Sequence, residues 1–222
     1  MQSLVIAETP TCLWLNKPAG IPVFKPHQDP GGDCVLARLL AERPDQNADF
    51  PEGFEAGIVH RLDVSTSGVV LAARRPQDFA KLRSLFTDKH LKKTYRFLSN
   101  AQASWTENTA DAAIAHDKRR KKRMVVQRGE STPHRGKWYA AETRFRHING
   151  RLWEAVITTG VMHQIRVHAA FVGIPLAGDR VYGGGMLECP NAPSGVQFGL
   201  HHLGLIGGDL KRVEATLPDW FE

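Results

Sequence analysis

Short apolar stretches alternate with polar, turn-rich segments along the chain, and the apolar spacing changes from stretch to stretch. Leu4 to Ala7 and Cys12 to Leu15 read as strands, and Asn16-Lys17-Pro18-Ala19-Gly20 then supplies turn chemistry. Val35, Leu36, Leu39 and Leu40 follow helical spacing, with Asp33 able to cap the helix and Pro44 just past its end. Phe79, Leu82, Leu85 and Phe86 predict a second helix from about Gln77 to about His90. The polar, Pro- and Gly-punctuated stretch from Asp45 to Ala56 reads as a surface loop. Gly68 to Ala73 and Lys93 to Leu98 read as strands, the latter with Tyr95 and Phe97 in alternation. Lys137 to Ile148 and Leu152 to Thr158 are rich in aromatic and β-branched residues, and Asn149-Gly150 between them predicts an antiparallel hairpin. Met162, Ile165, Ala169 and Val172 return to helical spacing, with Gly173 at the C-cap and Pro175 beyond, so a third helix carries His163, Gln164, Arg166 and His168.

Strands outnumber helices and do not alternate regularly with them, which argues against a doubly wound parallel sheet and for an α+β fold. A chain of 222 residues can bury a sizeable core, and a single domain over 1–222 is expected. With 29 Lys and Arg against 23 Asp and Glu the formal charge is +6, which suits a polyanionic partner. One stretch is compositionally extreme: Lys118, Arg119, Arg120, Lys121, Lys122 and Arg123 are six consecutive basic residues, read either as a solvated loop or as a grip on phosphates. Cys12, Cys34 and Cys189 are odd in number and lack CxxC spacing, which disfavours a disulfide framework or structural zinc and suits a reducing compartment. No apolar run approaches the length of a membrane span, so no membrane partner and a cytoplasmic location are expected. His163 and His168 stand five apart rather than four, and His201-His202 would point to opposite strand faces, so no metal is assigned. Walker A, GxGxxG and Gly-x-Ser-x-Gly patterns are also missing, and no cofactor is expected.

The segment His60-Arg61-Leu62-Asp63-Val64-Ser65-Thr66-Ser67-Gly68 joins two predicted strands with more polar groups than a turn needs. Its side chains can bond nearby backbone amides and Gly68 can take a positive φ, so turn geometry alone would justify them. The segment also resembles the signature of the RluA-type pseudouridine synthases, whose catalytic aspartate follows Arg-Leu. Asp63 occupies that place. Further resemblances follow in the family's order: Asn16 to Gly20; Lys93-Thr94-Tyr95; Lys122-Arg123-Met124-Val125; Gly160-Val161-Met162-His163-Gln164-Ile165-Arg166; Gly178-Asp179-Arg180-Val181-Tyr182-Gly183; and Leu200-His201-His202. Together they span roughly Leu13 to Leu205.

The resemblance implies a long, bent, mixed and mainly antiparallel sheet with flanking helices and a central catalytic cleft. It implies an enzyme that isomerises a uridine in structured RNA, transfer or ribosomal, without a cofactor; a monomer is expected. By the same resemblance Asp63 is the nucleophile and Tyr95 packs on the target base, while Arg166 is the opposite charge that keeps the nucleophile ionised. Arg61 fills the gap left by a flipped nucleotide or binds phosphate. His60, Thr66, Lys93, Gln164 and the run Lys118 to Arg123 complete the substrate contacts. Val161 stands where family members often have Arg, which removes one phosphate or structural contact. The chain begins almost at the catalytic region, so no separate N-terminal RNA-binding domain is expected. The carboxylate can attack the sugar C1′, attack the uracil C6, or start elimination at the sugar. Two rival readings are an RNA-binding assembly factor or chaperone without catalysis, and a uracil-nucleoside glycosidase, which would normally want a second carboxylate.

Overall fold

The apolar stretches Cys12 to Leu15 and Gly68 to Ala73 become two paired strands buried on both faces, which is why each reads as an unbroken apolar run rather than in-out. The structure is a computed structural model that describes residues 3–26, 29 and 31–221. In chain order its elements are β1 Val5–Glu8, β2 Cys12–Lys17, α1 Val35–Glu42, β3 Ser67–Ala73, α2 Pro76–Thr87, β4 Lys92–Leu98, β5 Glu107–Asp111, β6 Ile114–Asp117, β7 Met124–Val126, β8 His134–Tyr139, β9 Glu142–Asn149, β10 Leu152–Ile157, α3 Gln164–Phe171, β11 Leu200–Ile206 and β12 Val213–Glu214. They form an α+β fold with mainly antiparallel pairing, as expected. Among the described residues, no helix is long and apolar enough to cross a membrane.

The chain packs as two compact units. The first comprises the described residues up to Leu91 with Ala192–Val196 and His201–Pro218. Its strands run β1-β2-β3-β11, with β12 on β11; β3 and β11 are parallel and the other pairs antiparallel. One face buries Cys12, Trp14, Val69 and Leu71 with Phe79 and Leu82 of α2. The other buries Leu13, Leu15, Val70 and Ala72 with Val35 and Leu39 of α1.

Two local expectations are corrected here. Cys34, not Asp33, caps α1, its Sγ accepting from the Ala37 amide at 3.3 Å, while Asp33 is taken by Arg38 Nε at 3.0 Å. The stretch from Asp45 to Ala56 is not wholly a surface loop, because Gln46 is fully buried and donates to the carbonyls of Ala56 and Ala73, both at 3.0 Å. A buried amide satisfied by backbone leaves no trace in hydropathy.

The second unit comprises Lys92–Asn191, Gln197–Leu200 and the chain from Asp219. It holds the antiparallel order β4-β10-β9-β5 and a separate three-stranded sheet, β7-β6-β8. The hairpin β9–β10 forms where Asn149-Gly150 predicts it. The expected strand from Lys137 to Ile148, however, is two strands in two sheets, β8 and β9, with a break at Ala140-Ala141. Composition alone hides that break, since both halves favour extended backbone. Helix α3 packs against β5, β7 and β9, with Val172 as its C-cap one residue before Gly173.

Candidate active site

The segment around Asp63 is held by backbone. Val59 donates to the Leu71 carbonyl at 3.0 Å before the segment departs, and Thr66 donates to the Asp63 carbonyl at 3.0 Å as it turns back into β3. Gly20 donates to the Val64 carbonyl at 2.9 Å, joining this turn to the one after β2. Lys17, wholly buried at the end of β2, sends its Nζ to the carbonyls of Pro18 (3.0 Å), Val64 (3.0 Å) and Thr66 (2.6 Å). Burial pushes this lysine down to about 7, against the pull of the Asp63 negative charge. Three acceptors match the three N–H of an ammonium, and a neutral amine could serve only two of them, so the carbonyls also favour the charged form. Arg61 and Val64 are exposed and Asp63 is half-buried, so a rigidly held turn presents a carboxylate near the surface.

His60 lies at the inner end of the segment. Its ring stacks on Phe86 at 4.5 Å and its Nε2 accepts from the Leu71 amide at 3.1 Å. Thr66 is buried, and the bond to Lys17 runs through its carbonyl. Behind the segment, Ser67 pairs with His201 Nδ1 at 2.9 Å, and His201 Nε2 donates to the Ala215 carbonyl at 3.3 Å. That orientation makes Nδ1 the acceptor of the Ser67 hydroxyl, and burial drives His201 down to about 4. Gly68 has φ +108°, and a Cβ there would meet the His202 carbonyl oxygen at 2.1 Å, so only glycine allows β11 to pair this closely with β3.

In the second unit, β4 turns Lys93, Tyr95 and Phe97 to one buried face. Lys93 Nζ reaches towards Gly160, where an added Cβ would lie 3.5 Å away, and burial pushes the amine down to about 8. Helix α3 starts behind His163, a non-glycine residue at φ 56°. Gln164 accepts from Thr159 Oγ1 (2.8 Å) and the Val161 amide (3.2 Å), and donates to the Glu142 carbonyl (2.9 Å) and Thr143 Oγ1 (3.3 Å). Those four bonds lock the turn ahead of α3. Val161, in place of the family's frequent Arg, packs against the apolar cluster around Tyr182.

Arg166 is 7% exposed and forms a two-pronged pair with the nearly inaccessible Asp179, Nε to Oδ2 at 2.6 Å and Nη2 to Oδ1 at 3.0 Å. Its guanidinium carbon lies 5.2 Å from the Tyr182 ring centroid and 4.3 Å from that of Phe198. The Tyr182 hydroxyl accepts from the Met124 amide at 2.9 Å and donates to His163 Nδ1 at 3.0 Å, and burial carries its phenol up to about 12. Asp179 and Tyr182 thus set the plane and position of Arg166. Sequence reading matched their segment but assigned them no role, as it did Lys17. The available signal was a charged or hydroxylated residue inside a matched motif segment.

The basic run forms the turn between β6 and β7. Asp117 accepts from the amides of Arg119 (2.8 Å) and Arg120 (3.0 Å), which folds the turn and leaves Lys118 to Lys122 exposed. Arg123 differs: it is half-buried, 3.7 Å from Asp117, and its guanidinium carbon is 5.9 Å from the Tyr182 ring centroid.

A family model described as RNA pseudouridylate synthase matches residues 11–171. An uncharacterized RNA pseudouridine synthase of Bacillus subtilis, YhcT, is 34% identical over 187 residues, 82% of this chain and 58% of that protein. Ribosomal large subunit pseudouridine synthase D of Pseudomonas aeruginosa is 35% identical over 185 residues, 81% of this chain and 53% of that protein. The chain therefore spans little more than half the length of these curated relatives. In three dimensions, human RNA pseudouridylate synthase domain containing 1 is similar with a TM-score of 0.73, covering 98% of this chain and 84% of that one at 21% identity. At that identity the likeness concerns the fold alone.

Proposed function

Because this chain belongs to the RNA pseudouridylate synthase family, of the RluA type, we propose that it isomerises a uridine in structured RNA to pseudouridine with Asp63 as nucleophile. The N1–C1′ bond breaks, the uracil turns, C5 bonds to C1′, and the proton on C5 passes to solvent while N1 gains one. Atoms and electrons balance within the substrate, so the reaction calls on neither an oxidant nor a nucleotide.

The observation that carries the reading is the backbone-pinned turn of Asp63, which Lys17 ties through the Val64 and Thr66 carbonyls. A carboxylate that must meet one carbon of a flipped nucleotide gains from being held before substrate arrives. Arg166 supplies positive charge to the reaction centre, with its orientation set by Asp179 and Tyr182. Tyr95 packs on the uracil; a phenol with a usual value near 10 serves better as a surface or proton donor than as a base. Exposed Arg61 takes the place of the flipped nucleotide, and the Lys118 to Arg123 turn contacts phosphates. Large-subunit ribosomal RNA is the first substrate to test, in keeping with the names of the relatives, and transfer RNA the second.

The test is pseudouridine mapping of total RNA from cells with and without the protein, then reconstitution on the affected transcript with wild type and Asp63→Asn. Loss of one defined pseudouridine, restored only by wild type, is the expected result. An abasic site in its place would establish hydrolysis, and an unchanged map would remove the catalytic reading.

A further inference from the structure

The chain's positive charge is concentrated. Between positions 117 and 139 lie nine of the 29 Lys and Arg and two of the 23 Asp and Glu, so this segment carries +7 while the chain as a whole carries +6. All of it belongs to the small sheet β7-β6-β8 and its connections. The basic turn accounts for six of the nine cations. Arg135 and Lys137 add two more from β8, an edge strand that pairs only with β6 among the described strands.

Strand β8 is irregular in a way that builds a surface. Its register with β6 slips between Tyr139↔Ile114 and Arg135↔His116, so that four steps on β8 face two on β6. Gly136 sits in the slip at φ +70°. In a regular strand His134 and Trp138 would be over ~13 Å apart; here their ring centroids are 4.3 Å apart at 37°. Lys137 Nζ lies 5.1 Å from the centroid of Tyr139, a side chain left exposed. Arg135 reaches across to the Lys121 carbonyl at 3.2 Å, joining the bulged strand to the basic turn. A half-buried ring pair and an exposed ring beside a cation, on a strand that Arg135 joins to a cationic turn, have the composition of a site that stacks bases and tracks a nucleic-acid backbone. None of Arg135, Lys137, Trp138 and Tyr139 belongs to the motif segments read from the sequence.

The geometry points to β8 as a stacking platform for unpaired bases of an RNA, with Trp138 on His134 and Tyr139 as the stacking surfaces and Arg135, Lys137 and the Lys118 to Lys122 turn on the phosphates. This rests on the RNA reading above and adds a preference: RNA with unpaired bases is favoured over a continuous duplex. Phosphate contacts alone cannot create that preference, because both forms offer phosphates, whereas only unpaired bases offer ring faces.

The probes are a 12-mer oligoadenylate and a fully paired 12-mer RNA duplex, with affinity measured at one fixed salt concentration. Wild type is expected to favour the single strand. Trp138→Ala and Tyr139→Ala should each weaken single-strand binding about tenfold and hardly affect duplex binding, in line with the effect of removing one base-stacking ring. Trp138→Phe, which keeps a ring, should retain most of the affinity, and unfolding midpoints of all variants identify any loss due to misfolding. Unchanged single-strand affinity in both alanine variants, or equal losses on both probes, would overturn the platform. So would a concentration-dependent dimer dispersed by these substitutions, which would make the edge of β8 a protein interface. Pseudouridine mapping separates the two readings. A protein that modifies RNA but binds independently of Trp138 and Tyr139 keeps its reaction and loses the platform. One that forms no pseudouridine yet shows the ring-dependent preference keeps the platform and loses the reaction.

Discussion

Asp63→Asn changes charge with almost no change in shape, so at the scale of single residues it separates chemistry from folding. Pseudouridine formation should disappear while the circular dichroism spectrum and RNA affinity stay close to wild type; substantial turnover by the folded variant would reject Asp63 as nucleophile. Arg166 is bound into the fold as well as assigned to the site. Arg166→Met leaves the Asp179 carboxylate buried without its two-pronged partner and should lower stability by about 3–5 kcal/mol in urea unfolding. Arg166→Lys should recover part of that, because an ammonium is charged but cannot reproduce the planar fork. His201 gives a pH signature. Its folded value of about 4 lies below the ordinary 6.5, so its neutral form stabilises the fold fully above pH 6.5. As pH falls from 6.5 towards 4 the unfolded chain takes up a proton that the fold refuses, and stability drops by up to about 1.4 kcal/mol per pH unit. His201→Gln should be less stable at neutral pH but show a shallower fall over that interval, measured as urea midpoints at several pH values. An identical slope would mean that the fold does not lower the His201 value. Among these residues, the sequence motif singled out Asp63 and Arg166. Lys17, Asp179 and His201 stood inside matched segments, and their roles depend on which carbonyl, guanidinium or hydroxyl is brought opposite them.

At the scale of elements, periodicity located α1, α2 and α3 and the strands β1 to β4 to within a few residues, because each presents enough apolar surface to show its own period. The NG hairpin was equally legible, since its turn is a local property of two residues. The small sheet was not. Strands β6 and β7 have four and three residues, and β8 is mostly exposed, so none carries a clean alternation. The pairing of β3 with β11 joins segments over 130 residues apart and depends on Gly68. Gly68→Ala would combine left-handed backbone with a Cβ driven into the His202 carbonyl. It should cost about 1–3 kcal/mol from backbone strain alone, before any displacement of β11. A lowered urea midpoint together with lost pseudouridine formation is expected, since Ser67 and Gly68 adjoin the turn that carries Asp63. An unchanged midpoint would show that the strands can separate at little cost.

At the scale of the whole molecule, the excess charge sits almost entirely on one small sheet, and this makes a salt prediction possible. The Lys118→Ala, Arg120→Ala, Lys122→Ala triple variant removes three exposed cations from the turn without touching Arg123, which is bound to Asp117. If all three meet phosphates, the slope of log affinity against log salt should shrink by roughly 2–3 units, at about 0.7–0.9 per contact. Single-turnover rates at saturating RNA should hardly change, because such contacts bind ground and transition states alike. An unchanged slope would make the turn a solvated loop. The six-residue run was plain in the chain, as were the α+β class, the three helices and the family, because charge composition, apolar period and contiguous motifs are properties of neighbours in sequence. The tertiary structure alone decided that Lys17 pins the Asp63 turn through carbonyls and that Asp179 and Tyr182 orient Arg166. It alone decided that a slip at Gly136 brings His134 onto Trp138 beside the basic turn. Each of these is a distance between atoms whose residues no local pattern relates, and such distances exist only once the strands have chosen their partners and register.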